Sequence, residues 1–285
     1  MKSTKKIISI NKLHAFENHP YKVQDNEEME ALAESIKVHG IVSPVIVRPF
    51  ENTADEYEII SGHRRVMASR KAGITEVPAL IVSLDRDAAA IVLVDSNLHR
   101  EHILPSEKAF AYKMKAEALA HKGFRADLTS EQLAPKLATE QIAEDVGTSK
   151  DTIKRYIRLT NLIPEILKYV DEGRISFTPA VELSYLNEQE QHDLLEQIEQ
   201  SDCTPSLSQA CRFKKISQGE GLTPEVIAEI MEEEKANQRE MFKVPMERIR
   251  QYIPNANAKQ AEDFVLKACE HYRKFLIRQR NRDER

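Results

Sequence analysis

The chain changes rhythm once. Up to residue 104, short apolar runs alternate with amphipathic segments; beyond it, apolar residues recur at helical spacing almost throughout. Ile7–Ile10 and Leu13–Phe16 are expected as short strands, and Pro44–Arg48 (PVIVR), Glu56–Ile60 (EYEII) and Val77–Val82 as buried ones. Between them lie predicted helices. One is capped by Asp25 or Asn26, carries Met29, Leu32, Ala33 and Ile36 on its apolar face and stops at Gly40; the others are His63–Ala72, stopped by Gly73, and Asp87–Leu98.

Pro105 opens a long amphipathic helix, SEKAFAYKMKAEALA, interrupted by the polar stretch Lys122–Ser130. Further helices are expected near Pro164–Glu172, Thr178–Leu186, Glu188–Gln200, Ser206–Ile216, Pro224–Glu240 and Ala258–Gln279. Ser217–Gly221 (SQGEG) holds two of the chain's eight glycines and is the natural linker. The predicted architecture is an α/β domain over 1–104, an all-α domain over 105–216 and a helical C-terminal segment over 222–285.

Within the helical part, TEQIAEDVGTSKDTIKRYIR (139–158) has the spacing of a helix-turn-helix. Ile142, Ala143 and Val146 form one apolar face, Gly147 sits where the chain must reverse, and Ser149 is placed to cap a second helix. Ile153 and Ile157 face inward on that helix. Lys150, Asp151, Thr152, Lys154, Arg155 and Arg158 are left outward. Such a face suits a major groove: Lys150, Lys154 and Arg158 for phosphates, Ser149, Thr152 and Arg155 for base edges. An ordinary helical hairpin with a solvated basic face is the competing reading.

Composition narrows the classes. The net charge of −5 argues against indiscriminate nucleic-acid binding, yet it hides acidic residues crowded at 225–234 and a basic tail (Arg273, Lys274, Arg278, Arg280, Arg282). Cys203, Cys211 and Cys269 are odd in number and lack metal-ligand spacing, so no disulfide framework is expected. No stretch is apolar enough for a bilayer, which makes a cytoplasmic, nucleoid- or plasmid-associated protein without membrane contact the expectation.

A second constellation is Ser61-Gly62-His63-Arg64-Arg65, where a predicted strand turns into a predicted helix. Free backbone N–H groups and the positive helix end meet there, which favours an anion, and two guanidiniums suit phosphate. Arginines at a helix start are equally compatible with solvation or a nearby carboxylate.

ISGHRRVMASRKAG resembles the arginine box of the ParB (ParB/RepB-type) partition family, which typically reads G-E-R-R. LAESIKVHGIVSPVIVRP, DSNLHREHILPSEKA and FTPAVELSYL are similar to three further boxes, in family order, so the resemblance covers residues 8–215. It implies an N-terminal domain that binds CTP with magnesium, a central domain that binds a palindromic centromere in double-stranded DNA, a homodimer closing as a clamp, and a ParA-type ATPase partner. Carried over, Gly62, His63, Arg64 and Arg65 hold the triphosphate; Asn97 contributes to metal and phosphates with Arg100 nearby; Pro44 and Arg48, within Ser43–Arg48, approach base and sugar.

Two departures bear on turnover. The family glutamates are His63 and Ser96 here. Serine is no general base unaided, and histidine brings charge sensitivity near neutral pH instead of a fixed negative charge, so at most a weak CTPase is expected. His99 replaces the box's glutamine, and the N-terminal element is reduced to His19-Pro20-Tyr21-Lys22. Two other classes stay open: a transcriptional regulator of the same architecture, and a nuclease or kinase relative using His63, His99 and His102. At the far end, Phe264, Val265, Ala268, Tyr272 and Leu276 form a stripe that either dimerises or packs on its own chain.

Overall fold

The computed structural model describes residues 3–50, 53, 55–98, 100, 102–125, 134–219, 221–233, 244–255 and 257–283. Two compact units divide at Glu233/Glu234. The first begins with β1 (Ser3–Ser9), β2 (Leu13–His14), α1 (Glu27–His39), β3 (Val45–Pro49), β4 (Tyr57–Ser61), α2 (His63–Lys71), β5 (Glu76–Val82) and α3 (Arg86–Asp95). The strands form one mixed sheet in the order β1-β5-β3-β4-β2. β1 runs antiparallel to β5, β5 parallel to β3, β3 antiparallel to β4, and β4 parallel to β2.

Strand periodicity fills both faces of this sheet. Val45, Val47 and Ile59 point to one side, where Val66 of α2 packs; Ile60 points to the other, against Ala89, Ala90, Leu93 and Val94 of α3. Asn26, the second of the two expected caps, closes the start of α1 by accepting from Met29 N. The register of β3 on β4 slips between Ile46 and Val47, opposite the end of β4, and so bends the sheet where Ser61 hands over to Gly62.

α4 (Pro105–Arg125) is shared between the sheet and the helices that follow. Ala111 joins the cluster of Ile60 and Leu93, whereas Tyr112 joins Ile142, Ala143 and Ile153. Adjacent helical positions diverge by about 100°, so one helix serves both cores. Then come α5 (Ala134–Val146), α6 (Lys150–Arg158), α7 (Pro164–Asp171), α8 (Phe177–Leu183), α9 (Glu188–Ser201), α10 (Leu207–Ser217) and α11 (Pro224–Glu232).

The break expected at 217–221 is not one. Ile227, Ile230 and Met231 of α11 are buried in the same cluster as Leu194, Ile198 and Phe213. Glu190 of α9 pins the loop, accepting from Ser217 Oγ at 2.7 Å and from Leu222 N at 3.0 Å. Its glycines turn a corner within a packed unit. The helix expected through Glu240 is described only to Glu232, and residues 234–243 lie outside the described residues.

The second unit, considered by itself, holds α12 (Met246–Arg250) and α13 (Ala258–Asp283). Leu266, Tyr272, Phe275, Leu276 and Ile277 of α13 are exposed. The side chains of the expected basic tail from Arg280 onward lie outside the described residues. Among the described residues no helix is long and apolar enough to cross a membrane.

Candidate functional site

The β4–α2 junction requires a glycine. Gly62 has φ +107°, a left-handed conformation, and a Cβ there would lie 2.8 Å from Val45 Cγ1. The backbone therefore runs flush against β3, and the first turn of α2 opens into a cleft. Around it stand His19, Tyr21 and Lys22 from the segment after β2, His63, Arg64 and Arg65 from α2, and Ser96, Asn97 and Arg100 beyond α3.

Each cation is held differently. Arg64 pairs with Glu28 of α1 at 3.0 Å and remains partly exposed. Arg65 donates to Pro44 O at 2.8 Å and also to Ser43 O, which makes it a brace between α2 and β3; burial lowers its pKa. Lys22 reaches Asp171 Oδ2 at 3.2 Å, and its backbone N–H donates to Glu107 Oε1 at 2.8 Å. Arg100 lies 5.6 Å from the centre of the Tyr21 ring. Asn97 is buried, with Nδ2 donating to Leu93 O at 2.7 Å.

No carboxylate lines the cleft among the described residues. Two imidazoles meet instead, with His19 and His63 ring centres 3.9 Å apart. Burial above all, then the charges of His19 and Arg100, push the His63 pKa down to about 3. Phe16 N donates to its Nε2 at 3.5 Å, as suits a neutral ring. The expected charge sensitivity of His63 near neutral pH is thus corrected: desolvation keeps it uncharged. Burial likewise lowers His19, against the opposing bond from Nδ1 to Tyr21 O at 2.7 Å.

Two expected nucleotide contacts are elsewhere. Arg48 is buried in the sheet, its Nε 2.5 Å from Glu58 Oε2 directly across on β4, and Pro44 spends its carbonyl on Arg65. Neither lines the cleft. His19 and Tyr21 do, although periodicity gave no sign of it; their short segment is neither strand nor helix. His99 lies outside the described residues, and His102 is exposed.

The helix-turn-helix forms as its spacing demands. Gly147 has φ +70°, and Thr148 N returns to Ala143 O at 2.9 Å, closing α5 with a Schellman turn. Ser149 Oγ accepts from Thr152 N at 3.1 Å and starts α6. Ile142, Ala143 and Ile153 are buried together against Tyr112.

The outward face is smaller than the sequence suggests. Ser149, Asp151 and Lys154 are exposed, and Lys150, half-buried, pairs with Glu140 of α5. Arg155 turns onto α8, donating to Thr178 Oγ1 at 3.0 Å with its guanidinium 5.0 Å from the Phe177 ring centre. Arg158 donates to Ser184 O at 3.2 Å and stacks 3.9 Å from the Tyr185 ring centre. Planar guanidiniums lie readily on aromatic faces, which is why α8 captures Arg155 and the turn after it captures Arg158.

These features define a class: an α/β domain with a cleft lined by cationic side chains, joined through one helix to a helix-turn-helix domain. Residues 1–98 match the ParB N-terminal domain and residues 107–206 the ParB HTH domain, in that order. The chain belongs to the ParB family.

Relatives include the probable chromosome 1-partitioning protein ParB of Deinococcus radiodurans, 37% identical over 56% of this chain and 49% of its own length. The chromosome-partitioning protein Spo0J of Thermus thermophilus is 35% identical over 55% of this chain and 51% of its own length. A nucleoid occlusion protein of Geobacillus thermodenitrificans is 36% identical over 63% and 58%, respectively. The chain thus spans about half the length of the curated relatives it matches. Among solved structures, C-terminally truncated ParB of Caulobacter crescentus complexed with CTP-γ-S aligns at 26% identity over 68% of this chain and 98% of that one, with a TM-score of 0.33.

Proposed function

We propose that this chain is a sequence-specific DNA-binding protein of the ParB type, binding a centromere-like site for plasmid or chromosome partition, with a nucleotide, CTP, held in the N-terminal cleft. The observation that carries this reading is the pairing, in one chain, of the two ParB domains with a cleft whose charged lining is cationic. Lys22, Arg64 and Arg100 offer donors at a helix N-terminus, which is the chemistry of a triphosphate site. A single helix-turn-helix reads few base pairs, so a homodimer on two half-sites is part of the proposal. A ParA-type ATPase is the proposed partner.

Magnesium fits as the nucleotide's companion and not as a protein-held ion. Among the described residues no group of three or more His, Cys, Asp or Glu side chains converges on one point, and Asn97 offers a single amide oxygen. The ion's oxygens would come from the phosphates, where it would offset their charge. With His63 a weak base of pKa about 3 whose Nε2 accepts from Phe16 N, and Ser96 donating to Leu93 O at 2.9 Å, the described lining offers no strong general base, so binding without efficient hydrolysis is proposed.

Titrating the full chain with CTP, ATP, GTP and UTP in the presence of magnesium tests the cleft. CTP-selective binding that Arg64→Ala abolishes is the expected result; no binding of any nucleotide reduces the reading to a DNA reader. The nucleoid occlusion relative favours a second reading, in which the same DNA binding serves another process at the nucleoid. Mapping the bound sites on the source replicon separates the two.

A further inference from the structure

The cationic row of α6 does not end with the helix. Lys150, Lys154 and Arg158 recur every four residues and share one side. At the last of them a second element joins in. Lys214 of α10 brings its ammonium 3.6 Å from the centre of the Tyr185 ring, the same ring on which Arg158 stacks at 3.9 Å. Tyr185 is 37% exposed, so the ring that gathers both cations is reachable from solvent.

Two like charges held against one ring repel each other, and a ring quadrupole attracts cations without neutralising them. Arg158 Nη2 is satisfied by the neutral carbonyl of Ser184. Its buried Nε has no hydrogen-bond partner. Lys214 is paired with Glu182 Oε2 at 2.8 Å. One carboxylate against two cations leaves a net positive charge in a half-buried setting, where an arriving anion is screened less than at an open surface.

We infer that Arg158, Tyr185 and Lys214 form a contact site for a backbone phosphate of duplex DNA, which starts at the last residue of the recognition helix and carries its cationic row onto Lys214 of α10. The inference rests on the DNA-binding reading above. In the free protein Glu182 occupies Lys214; on the duplex a phosphate takes that place. Glu182 therefore opposes binding, and the two residues of this pair act on affinity with opposite signs.

The test needs no knowledge of the cognate site. Binding of the full chain to a mixed-sequence duplex of about three helical turns is followed by fluorescence anisotropy over a salt series. Lys214→Gln is expected to weaken binding several-fold at low salt and to flatten the slope of log K against log salt by about 1. Lys214→Arg restores the slope, and Glu182→Gln tightens binding. Lys154→Ala, on the recognition helix, serves as the positive control.

If Lys154→Ala flattens the slope but Lys214→Gln leaves it at the wild-type value, the inference falls and the DNA reading stands. If wild type binds no mixed-sequence duplex even at the lowest salt concentration, the inference falls, and the sequence-specific reading is decided separately by the site mapping above. Should Lys214→Gln prove unfolded by thermal melting, Glu182→Gln decides: affinity no higher than wild type overturns the site.

Discussion

Lys115 Nζ lies 2.6 Å from Asp145 Oδ2, so α4 and the first helix of the helix-turn-helix are tied by an ammonium that is itself 1% exposed. The same ammonium lies 2.6 Å from Asp95 Oδ1, at the end of α3 beside Ser96 and Asn97 of the cleft. Burial alone would lower the pKa of Lys115, but its bonds to Asp145 and Asp95 outweigh this and raise it. A lysine raised above its unfolded value stabilises fully at neutral pH and loses that contribution only as pH climbs through its folded pKa. The clasp is therefore constant over the working range.

Removing the lysine leaves two carboxylates facing each other without a cation. Lys115→Ala should cost about 1.5–3 kcal/mol, the range for losing charged hydrogen bonds, because Asp95 and Asp145 are themselves nearly half exposed and water takes up their charge. The urea midpoint of the full chain measures it. Lys115→Met, which keeps much of the volume, should cost less than alanine. Equal stability of wild type and Lys115→Ala would show that the clasp contributes nothing.

His63 sets an acid-side trend. Its pKa of about 3 in the native state lies below its ordinary value of 6.5. Above pH 6.5 the ring is neutral in both states and the difference vanishes. Below it, the unfolded chain takes up a proton that the folded chain refuses, so stability falls as pH drops from 6.5 towards 3. By pH 5 the loss attributable to this ring approaches about 2 kcal/mol. Urea unfolding at pH 7.5 and pH 5 should show it, and His63→Gln should remove that part of the decline. His19, lowered in the same direction by burial, adds to the slope that remains.

Arg155 and Lys154 are neighbours with different prospects. Lys154 is exposed, whereas Arg155 is held by Thr178 and Phe177. Lys154→Ala should weaken duplex binding evenly across sequences and reduce the salt slope by about 1. Arg155→Ala should lower thermal stability through the lost stacking and hydrogen bond, by about 1–2 kcal/mol. A melting temperature unchanged by Arg155→Ala would return this side chain to the base-contacting role that its helical position first suggests.

Much of the scaffold was readable because it is encoded locally. PVIVR and EYEII are strands, Asn26 and Ser149 cap their helices, and Gly147 closes α5. What could not be read depends on partners brought together by the fold. Arg48 points inward because Glu58 lies directly opposite it on β4, and no periodicity reveals that pairing. Arg155 and Arg158 lose their freedom to Phe177 and Tyr185, more than twenty residues downstream. α3 ends at Asp95, short of the expected Leu98, and the turn that follows brings Ser96 and Asn97 to the cleft. The glycines of 217–221 signal a turn as readily as a linker, and only the burial of α11 distinguishes them.

The apolar side of α13 leads to the last prediction. Val265, Ala268, Tyr272 and Phe275 recur at alternating spacings of three and four residues, which is the seam pattern of paired helices. Tyr272 and Phe275 stack with ring centres 6.3 Å apart, yet they are 62% and 50% exposed. Leu276 and Ile277, next to them, are exposed as well. Burying each such side chain in a partner helix contributes about 1.5–3 kcal/mol, so a few of them sustain a dimer. A charge placed in the seam should remove that gain and add the cost of desolvating an ion. Tyr272→Asp combined with Phe275→Asp should therefore halve the mass seen by sedimentation equilibrium at micromolar concentration, with unfolding of the first unit unchanged. A wild-type chain already monomeric under those conditions, or a variant whose mass equals that of a dimeric wild type, would exclude this face as the seam.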